Sequence, residues 1–393
     1  MTIPGGLAQD PIYLDYNATT PIDPAVTEAM LPFLTGGFGN PSSDHHYGTA
    51  PRAALQRARE QVAALMGASA GDVVFTGSGS EADNLALRGV VLASGTDRPH
   101  IITQRTEHPA ILEVCQALQR WHAAEVTYLP VNSDGLVGPG ELAAALTERT
   151  VLVSVMLANN ETGALQPITE LAGITHERGA VFHCDAAQAA GKIPLDVTGL
   201  DVDLLTVVGH KMYAPKGIAA LYIRPGIVLE PLIYGGGQER GLRAGTENVA
   251  LAVALGTAAQ LATDDLAAGG HQRLQHLRDQ LHNRLTAALP GRVELNGPID
   301  ARLPNTLDIS IRGTVGHDVL AATPGIAAST GSACHSGTHE PSPVLTAMGL
   351  GTDRSLSALR LSLGRWSTLG DVDRAADLIV TTVGRLLLDQ GDL

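Results

Sequence analysis

Seven short apolar runs punctuate residues 72–224: DVVFTG (72–77), HIITQ (100–104), EVTYLPV (125–131), TVLVSVM (150–156), AVFHCDAA (180–187), LLTVVG (204–209) and IAALYIR (218–224). Stretches with helical spacing separate the first five: SEADNLALRGVVLAS, PAILEVCQALQRWH, PGELAAALTE and ITELAGITHERG. A strand that is apolar throughout, rather than at every second residue, must be covered on both faces. The intervening helices supply that cover. The pattern therefore predicts an α/β fold with a large, mostly parallel, doubly wound sheet. A long helical stretch follows from about Asn248 to Leu289, broken at LAAGG (266–270). Beyond it VELNG, NTLDISIRG, IAAST and ALRLSLG read as strands between short helices. We expect a large domain over 15–261 and a smaller α+β domain from 1–14 and 262–393. The sequence shows no internal repeat and no low-complexity segment.

In open α/β sheets, ligands bind beyond the carboxyl ends of the strands. The residues just after each run therefore carry the functional signal. After DVVFT comes Gly77-Ser78-Gly79-Ser80, then a helix. Small residues let the backbone approach an anion, and a helix N-terminus offers free N–H groups. The same residues would also make an ordinary N-cap. His108 precedes the helix-starting Pro109, where a capping or surface histidine is the plainer reading. Asn159-Asn160-Glu161-Thr162-Gly163 could equally be a turn. Asp185 ends an apolar strand, which is costly without a partner.

His210 and Lys211 follow the next strand. Desolvation there lowers a lysine pKa, as a Schiff-base lysine requires. The chain has three lysines in all, and Lys192 in GKIPLD and Lys216 in APKG suit that role less. Lys216, between Pro215 and Gly217, is expected to be exposed. Taken together these strand ends suit pyridoxal 5'-phosphate. Gly79 and Ser80 offer an anion cradle, Lys211 an amine, Asp185 a carboxylate for the pyridine nitrogen and His108 a flat ring.

The net charge of −14 opposes direct nucleic-acid binding. No apolar run of membrane-spanning length occurs. MTIPGGLAQDP lacks the blocks of a signal peptide, so a cytoplasmic location is expected. Cys115, Cys184 and Cys334 form no CxxC pair, and no metal site is expected. Cys115 and Cys184 sit in apolar patterns and read as core residues. Cys334 does not: it lies in STGSACHSGTHEPSP (329–343), among Ser, Gly, Thr and Pro.

The chain resembles the class I cysteine desulfurases of the NifS/IscS type, fold-type-I pyridoxal-phosphate enzymes of the class V aminotransferase family. The resemblance runs through YLDYNATTP (13–21), FGNPSS (38–43), TEHPA (106–110), NNETG (159–163), DAAQ (185–188), GHKMYAPKG (209–217), GGGQERGLRAGTEN (235–248), GSACHSG (331–337) and LRLSLGRW (359–366). GSAC, rather than an RxGHHC-like loop, points to the first class. The resemblance implies that Lys211 holds the cofactor and removes the Cα proton. It implies that Asp185 pairs with the pyridine nitrogen, Gln188 reaches the ring hydroxyl, and His108 stacks on the ring and assists proton transfer. Gly79, Ser80 and His210 would bind phosphate. Thr246 would reach the phosphate of a partner subunit, making a homodimer. Asn160 and Arg360 would hold the carboxylate of L-cysteine.

Cys334, on a loop of about 325–343, would take the sulfur as a persulfide and pass it to a sulfur-acceptor protein. The resemblance leaves the acceptor open among iron–sulfur assembly, tRNA thiolation, thiamine or molybdenum-cofactor routes and DNA phosphorothioation. A selenocysteine lyase, a transaminase or a catalytically silent scaffold of the same fold are the rival readings. Two departures from the family pattern imply a weaker cofactor grip. Val208 replaces a serine three residues before the lysine, and Ser80 stands where threonine is commoner.

Overall fold

All seven apolar runs form strands of one sheet. The computed structural model describes residues 4–7, 11–331 and 340–390. After the two-residue strand β1 (Ile12–Tyr13) come β2 (Val73–Thr76), β3 (His100–Gln104), β4 (Glu125–Leu129), β5 (Thr150–Ser154), β6 (Val181–Asp185), β7 (Leu204–Val208) and β8 (Ala219–Ile223). Strands β2 to β8 make a seven-stranded sheet in the order β2-β8-β7-β6-β5-β3-β4. Neighbours from β4 across to β7 pair in parallel. β8 runs antiparallel to both β7 and β2. β2 thus keeps the common direction, and one edge collects the carboxyl ends of every strand except β8.

The sheet has a separate core on each face, because successive residues of a strand point to opposite sides. Val73, Ile102 and Val153 belong to one core, and their neighbours Val74, Ile101 and Leu152 to the other. The helices begin with α1 (Pro24–Thr35), α2 (His46–Leu65), α3 (Gly79–Ala93), α4 (Pro109–His122), α5 (Pro139–Ala145) and α6 (Ile168–His176). Leu85 and Val90 of α3 and Ile111 and Leu118 of α4 fill one core. Leu55 and Val62 of α2, Leu142 of α5 and Leu171 of α6 fill the other. Three of these helices, α1, α4 and α5, start on proline, whose missing N–H costs nothing in a first turn.

The long helical stretch splits into α7 (Val249–Ala267) and α8 (Gly270–Ala288). The break falls at Gly269, whose φ of 83° favours glycine. By length and composition α7 could cross a membrane. Here it packs against α1 and α2, with Ala252, Ala254, Leu255, Ala258 and Ala259 buried. The remaining strands are β9 (Val293–Leu295), β10 (Thr306–Ile311), β11 (Ile326–Ala327) and β12 (Ala358–Ser362). β10 lies between β9 and β12, antiparallel to both, and β1 pairs in parallel with β11. The helices α9 (Gly316–Ala321), α10 (Pro343–Ala347), α11 (Thr352–Leu356) and α12 (Leu369–Gln390) complete the chain. Leu281 of α8, Ile309, Leu361 and Ile379 of α12 share a core with Ile12 and Leu14 from the N-terminal segment.

Candidate active site

One cavity of about 590 Å³ lies at the carboxyl edge of the large sheet. Ser78, Gly79 and Ser80 border it from the start of α3, and His108 from the start of α4. Asn160, Asp185, Gln188, His210 and Lys211 border it from the ends of β5, β6 and β7. Arg360 enters from β12 of the smaller sheet. Nine of the residues expected from sequence to hold cofactor or substrate therefore meet in one place. Thr246 does not; it is exposed, in a separate groove with Leu34, Phe38 and Asn40. Cys334 lies outside the described residues. Ser329 and Gly331, just before it, line the cavity.

The glycine-serine turn supplies an ordinary N-cap through Ser78, and Gly79 and Ser80 also border the cavity. Ser78 is the N-cap of α3, its Oγ accepting from Glu81 N at 3.1 Å. Glu81 in turn accepts from Gly77 N at 2.9 Å and pairs with Arg243 Nε at 2.8 Å. Ser80 lies two positions beyond Ser78, inside the helix, and borders the cavity. Gly79 is required by packing: a Cβ there would stand 2.6 Å from Val208 Cγ2. Val208 therefore closes the space under the helix start with a methyl group and brings no hydroxyl.

Lys211 sits in a single 3-10 turn, Gly209–Lys211, directly after β7. Its Nζ donates to the carbonyls of Asn17 (2.7 Å) and Ala18 (2.8 Å). Burial, helped by Arg360, lowers its pKa to about 8. The neighbouring His210 accepts or donates at Thr19 Oγ1 across 3.2 Å. Burial, then Lys211, lowers its pKa to about 4, so the ring is neutral near pH 7. Asp185 accepts from Ala187 N at 2.8 Å. Burial raises its pKa, while His108 and Lys211 pull it back. A pyridinium N–H would relieve that burial cost.

His108 caps α4, its Nδ1 accepting from Ala110 N at 3.1 Å, which leaves the neutral ring's proton on Nε2. It lines the cavity as well as capping α4. Arg360 already holds two partners, Asp15 Oδ1 at 2.7 Å and the Asn160 carbonyl at 3.1 Å. Its Nε is buried with no partner among the described residues.

Several residues here had no role in the sequence reading. Asn17 is buried and bonds to residues from three parts of the chain. Its carbonyl accepts from Lys211 and from Gln188 Nε2 (2.9 Å), its Oδ1 from Lys192 and Asn305, and its Nδ2 donates to Thr306 Oγ1. Glu107 is buried below His108, accepting from Gln104 Nε2 and Met156 N, and burial lifts its pKa to about 8. Glu161, which read as part of a turn, brackets the Cys334 segment. A Cβ on Gly331 would lie 2.5 Å from its Oε2, and Ser342 Oγ donates to that same oxygen. The polar turn NNETG gave no sign of this. Cys115 and Cys184 are buried, as expected, and Lys216 is exposed.

The N-terminus of α3, a lysine of lowered pKa, a buried carboxylate and the His108 ring border a single cavity. That donor set fits pyridoxal phosphate, and with this sheet topology it defines a fold-type-I pyridoxal-phosphate enzyme. The chain matches the family Aminotransferase class-V over residues 12–375. A cysteine desulfurase of Nostoc sp. is 49% identical over 377 residues, which cover 95% of this chain and 93% of that one. A solved NifS-like protein superposes with a TM-score of 0.87 at 35% identity, covering 95% of this chain and 99% of its own. SspA, solved in complex with cysteine, gives 0.79 and 33%, covering 91% of this chain and 99% of its own. The chain belongs to the aminotransferase class-V family and, within it, to the pyridoxal-phosphate-dependent cysteine desulfurases.

Proposed function

We propose that this protein takes sulfur from L-cysteine, leaves L-alanine, and carries the sulfur as a persulfide on Cys334 to an acceptor protein. The observation that carries the reading is the meeting of Lys211, Asp185 and Arg360 in one cavity that Ser329 and Gly331 also line, three residues from the thiol. The SspA complex with cysteine supports the substrate.

Bound pyridoxal phosphate supplies an electron sink that makes the substrate Cα proton acidic. Asp185 keeps a negative charge against the pyridine nitrogen. Gly79, Ser80 and His210 hold the phosphate at the N-terminus of α3. Arg360 exchanges Asp15 for the substrate carboxylate, with Asn160 beside it. Lys211 would hold the cofactor, and its amine, of lowered pKa, would take the substrate Cα proton. The His108 ring would lie against the cofactor, with its Nε2 proton available to the reacting atoms. The Cys334 thiolate attacks the substrate sulfur; a new S–S bond forms and the C–S bond breaks. The carbon keeps that electron pair and is protonated to alanine.

We assign residues 15–261 to a cofactor-binding domain and 1–14 with 262–393 to a domain that carries the cysteine loop. We further assign Thr246 to the phosphate site of a second subunit in a homodimer. An exposed apolar patch supports this: Leu34 and Phe38 share the Thr246 groove, and Phe38 stacks on Tyr47 at 5.5 Å. The acidic chain suits an acceptor protein with a basic face, in a cytoplasmic iron–sulfur, tRNA-thiolation or DNA-phosphorothioation route.

The deciding assay measures alanine and sulfide from L-cysteine plus reductant, for the wild type and for Cys334→Ala. Equal yields from the wild type and none from a variant that still binds cofactor support the desulfurase. Full activity in the variant would favour a selenocysteine-lyase type of elimination that needs no loop thiol. Two further results are expected. Uptake of pyridoxal phosphate by the stripped protein should speed up as pH rises and level off above about 8, not above the 10.5 of a free lysine. Only the unprotonated amine attacks, so each pH unit below the midpoint costs about tenfold. Val208→Ser should also slow cofactor loss during dialysis against a competing carbonyl reagent, by roughly fivefold, the worth of about one hydrogen bond.

A further inference from the structure

Lys192 is 8% exposed, deep behind Gln188, and forms no ion pair among the described residues. A buried lysine without a carboxylate is expensive. Burial, then Lys211 and Arg360, depresses its pKa well below the ordinary lysine range. Its Nζ spends its hydrogens on two amide oxygens, Gln188 Oε1 at 2.6 Å and Asn17 Oδ1 at 3.1 Å.

The two edges of a glutamine amide have nearly the same shape, and their partners decide which faces where. Gln188 Oε1 is tied to Lys192, and one Nε2 hydrogen goes to the Asn17 carbonyl at 2.9 Å. Flipping the amide would set its NH₂ against the Lys192 amine and its oxygen against the Asn17 carbonyl. Both contacts would then be lost. Asn17 cannot turn to accommodate this, because its own Nδ2 is committed to Thr306 Oγ1 at 2.9 Å and its Oδ1 also accepts from Asn305 Nδ2 at 3.0 Å. The second Nε2 hydrogen of Gln188 is left for the cavity.

We propose that Lys192 is a positioning residue that locks the Gln188 amide with its N–H edge toward the phenolic oxygen of the bound cofactor. The proposal rests on the pyridoxal-phosphate site described above. A fixed donor there favours the ionised ring oxygen and so lowers the pH at which the bound cofactor titrates.

The test is the pH titration of the visible absorbance of the bound cofactor, which needs no turnover. Lys192→Met should raise the midpoint by about one pH unit, the worth of one hydrogen bond. Gln188→Met should raise it by a similar amount, and the double variant by no more than either alone. Lys192→Gln, which keeps an N–H donor, should stay near the wild-type midpoint. An unchanged midpoint in yellow Lys192→Met, additive shifts in the double variant, or a Lys192→Gln shift as large as that of methionine would each overturn the proposal. A wild type with no visible band would instead sink the cofactor reading itself.

Discussion

Lys211→Ala should fold, yet lose cysteine turnover by about 10³-fold or more, the scale of losing a positioned base and tether together. No other amine can substitute. Lys192 is buried and committed to Asn17 and Gln188. Lys216 borders the cavity but is exposed to solvent rather than held beside Asp185. The stability cost is small, because the lysine gives up only two hydrogen bonds to main-chain carbonyls, about 1 kcal/mol each. Sulfide and alanine release, read beside a thermal melt, separates the two effects. A melt within a few degrees of the wild type together with retained turnover would remove Lys211 from the mechanism.

Arg365→Ala should have the largest effect on stability, about 3–5 kcal/mol. Arg365 Nη1 pairs with Asp23 Oδ2 at 2.7 Å, and the two side chains are only 4% and 11% exposed. Its guanidinium also covers the Tyr213 ring at 4.3 Å, and its backbone N–H donates to the Tyr213 hydroxyl at 2.7 Å. Alanine leaves the Asp23 carboxylate buried without its ion-pair partner. Asp23 also caps α1 through Ala25 N at 2.9 Å, so that helix start loosens as well. Tyr213 is two residues from Lys211 and holds a φ of 68°, a conformation that needs support from its surroundings. The variant should therefore shed cofactor more readily. Urea unfolding should show a lower midpoint. The pair Asp23→Asn and Arg365→Met, which removes both charges, should recover much of the loss.

The sheet was legible because a strand buried on both faces has to be apolar at every position. Its edge strand shows the limit: β4 is only partly buried along most of its length, yet EVTYL still stands out by its β-branched and aromatic residues. The direction of β8 was not read from the sequence. IAALYIR looks the same whichever way it runs, although the short link 209–218 leaves little room for a parallel crossover. The two-residue strand β1 is too short for any periodicity, whereas its partner β11 lies within IAAST, which read as a strand. The site residues at strand ends could be found one strand at a time. Asn17 could not, since its roles come from partners such as Gln188, 171 positions away, and Thr306, 289 away. Lys192 was discounted as a turn residue because nothing local distinguishes a buried lysine from an exposed one. Gly79 was read as letting the backbone approach an anion, whereas the structure also demands it for lack of space beside Val208.

Asp15 and Arg360 meet at 2.7 Å across 345 residues of chain, and Asn17 N reaches Ser362 Oγ at 3.0 Å over the same span. During synthesis the anion cradle and the lysine leave the ribosome well before Arg360 does. A nascent chain thus carries a cofactor amine without the arginine or the backing that orders Asn17 beneath it. Folding of the site is gated by the arrival of β12, and a chain that stops short of it exposes an unfinished cavity. Stable cofactor retention therefore reports that the ribosome reached at least residue 362.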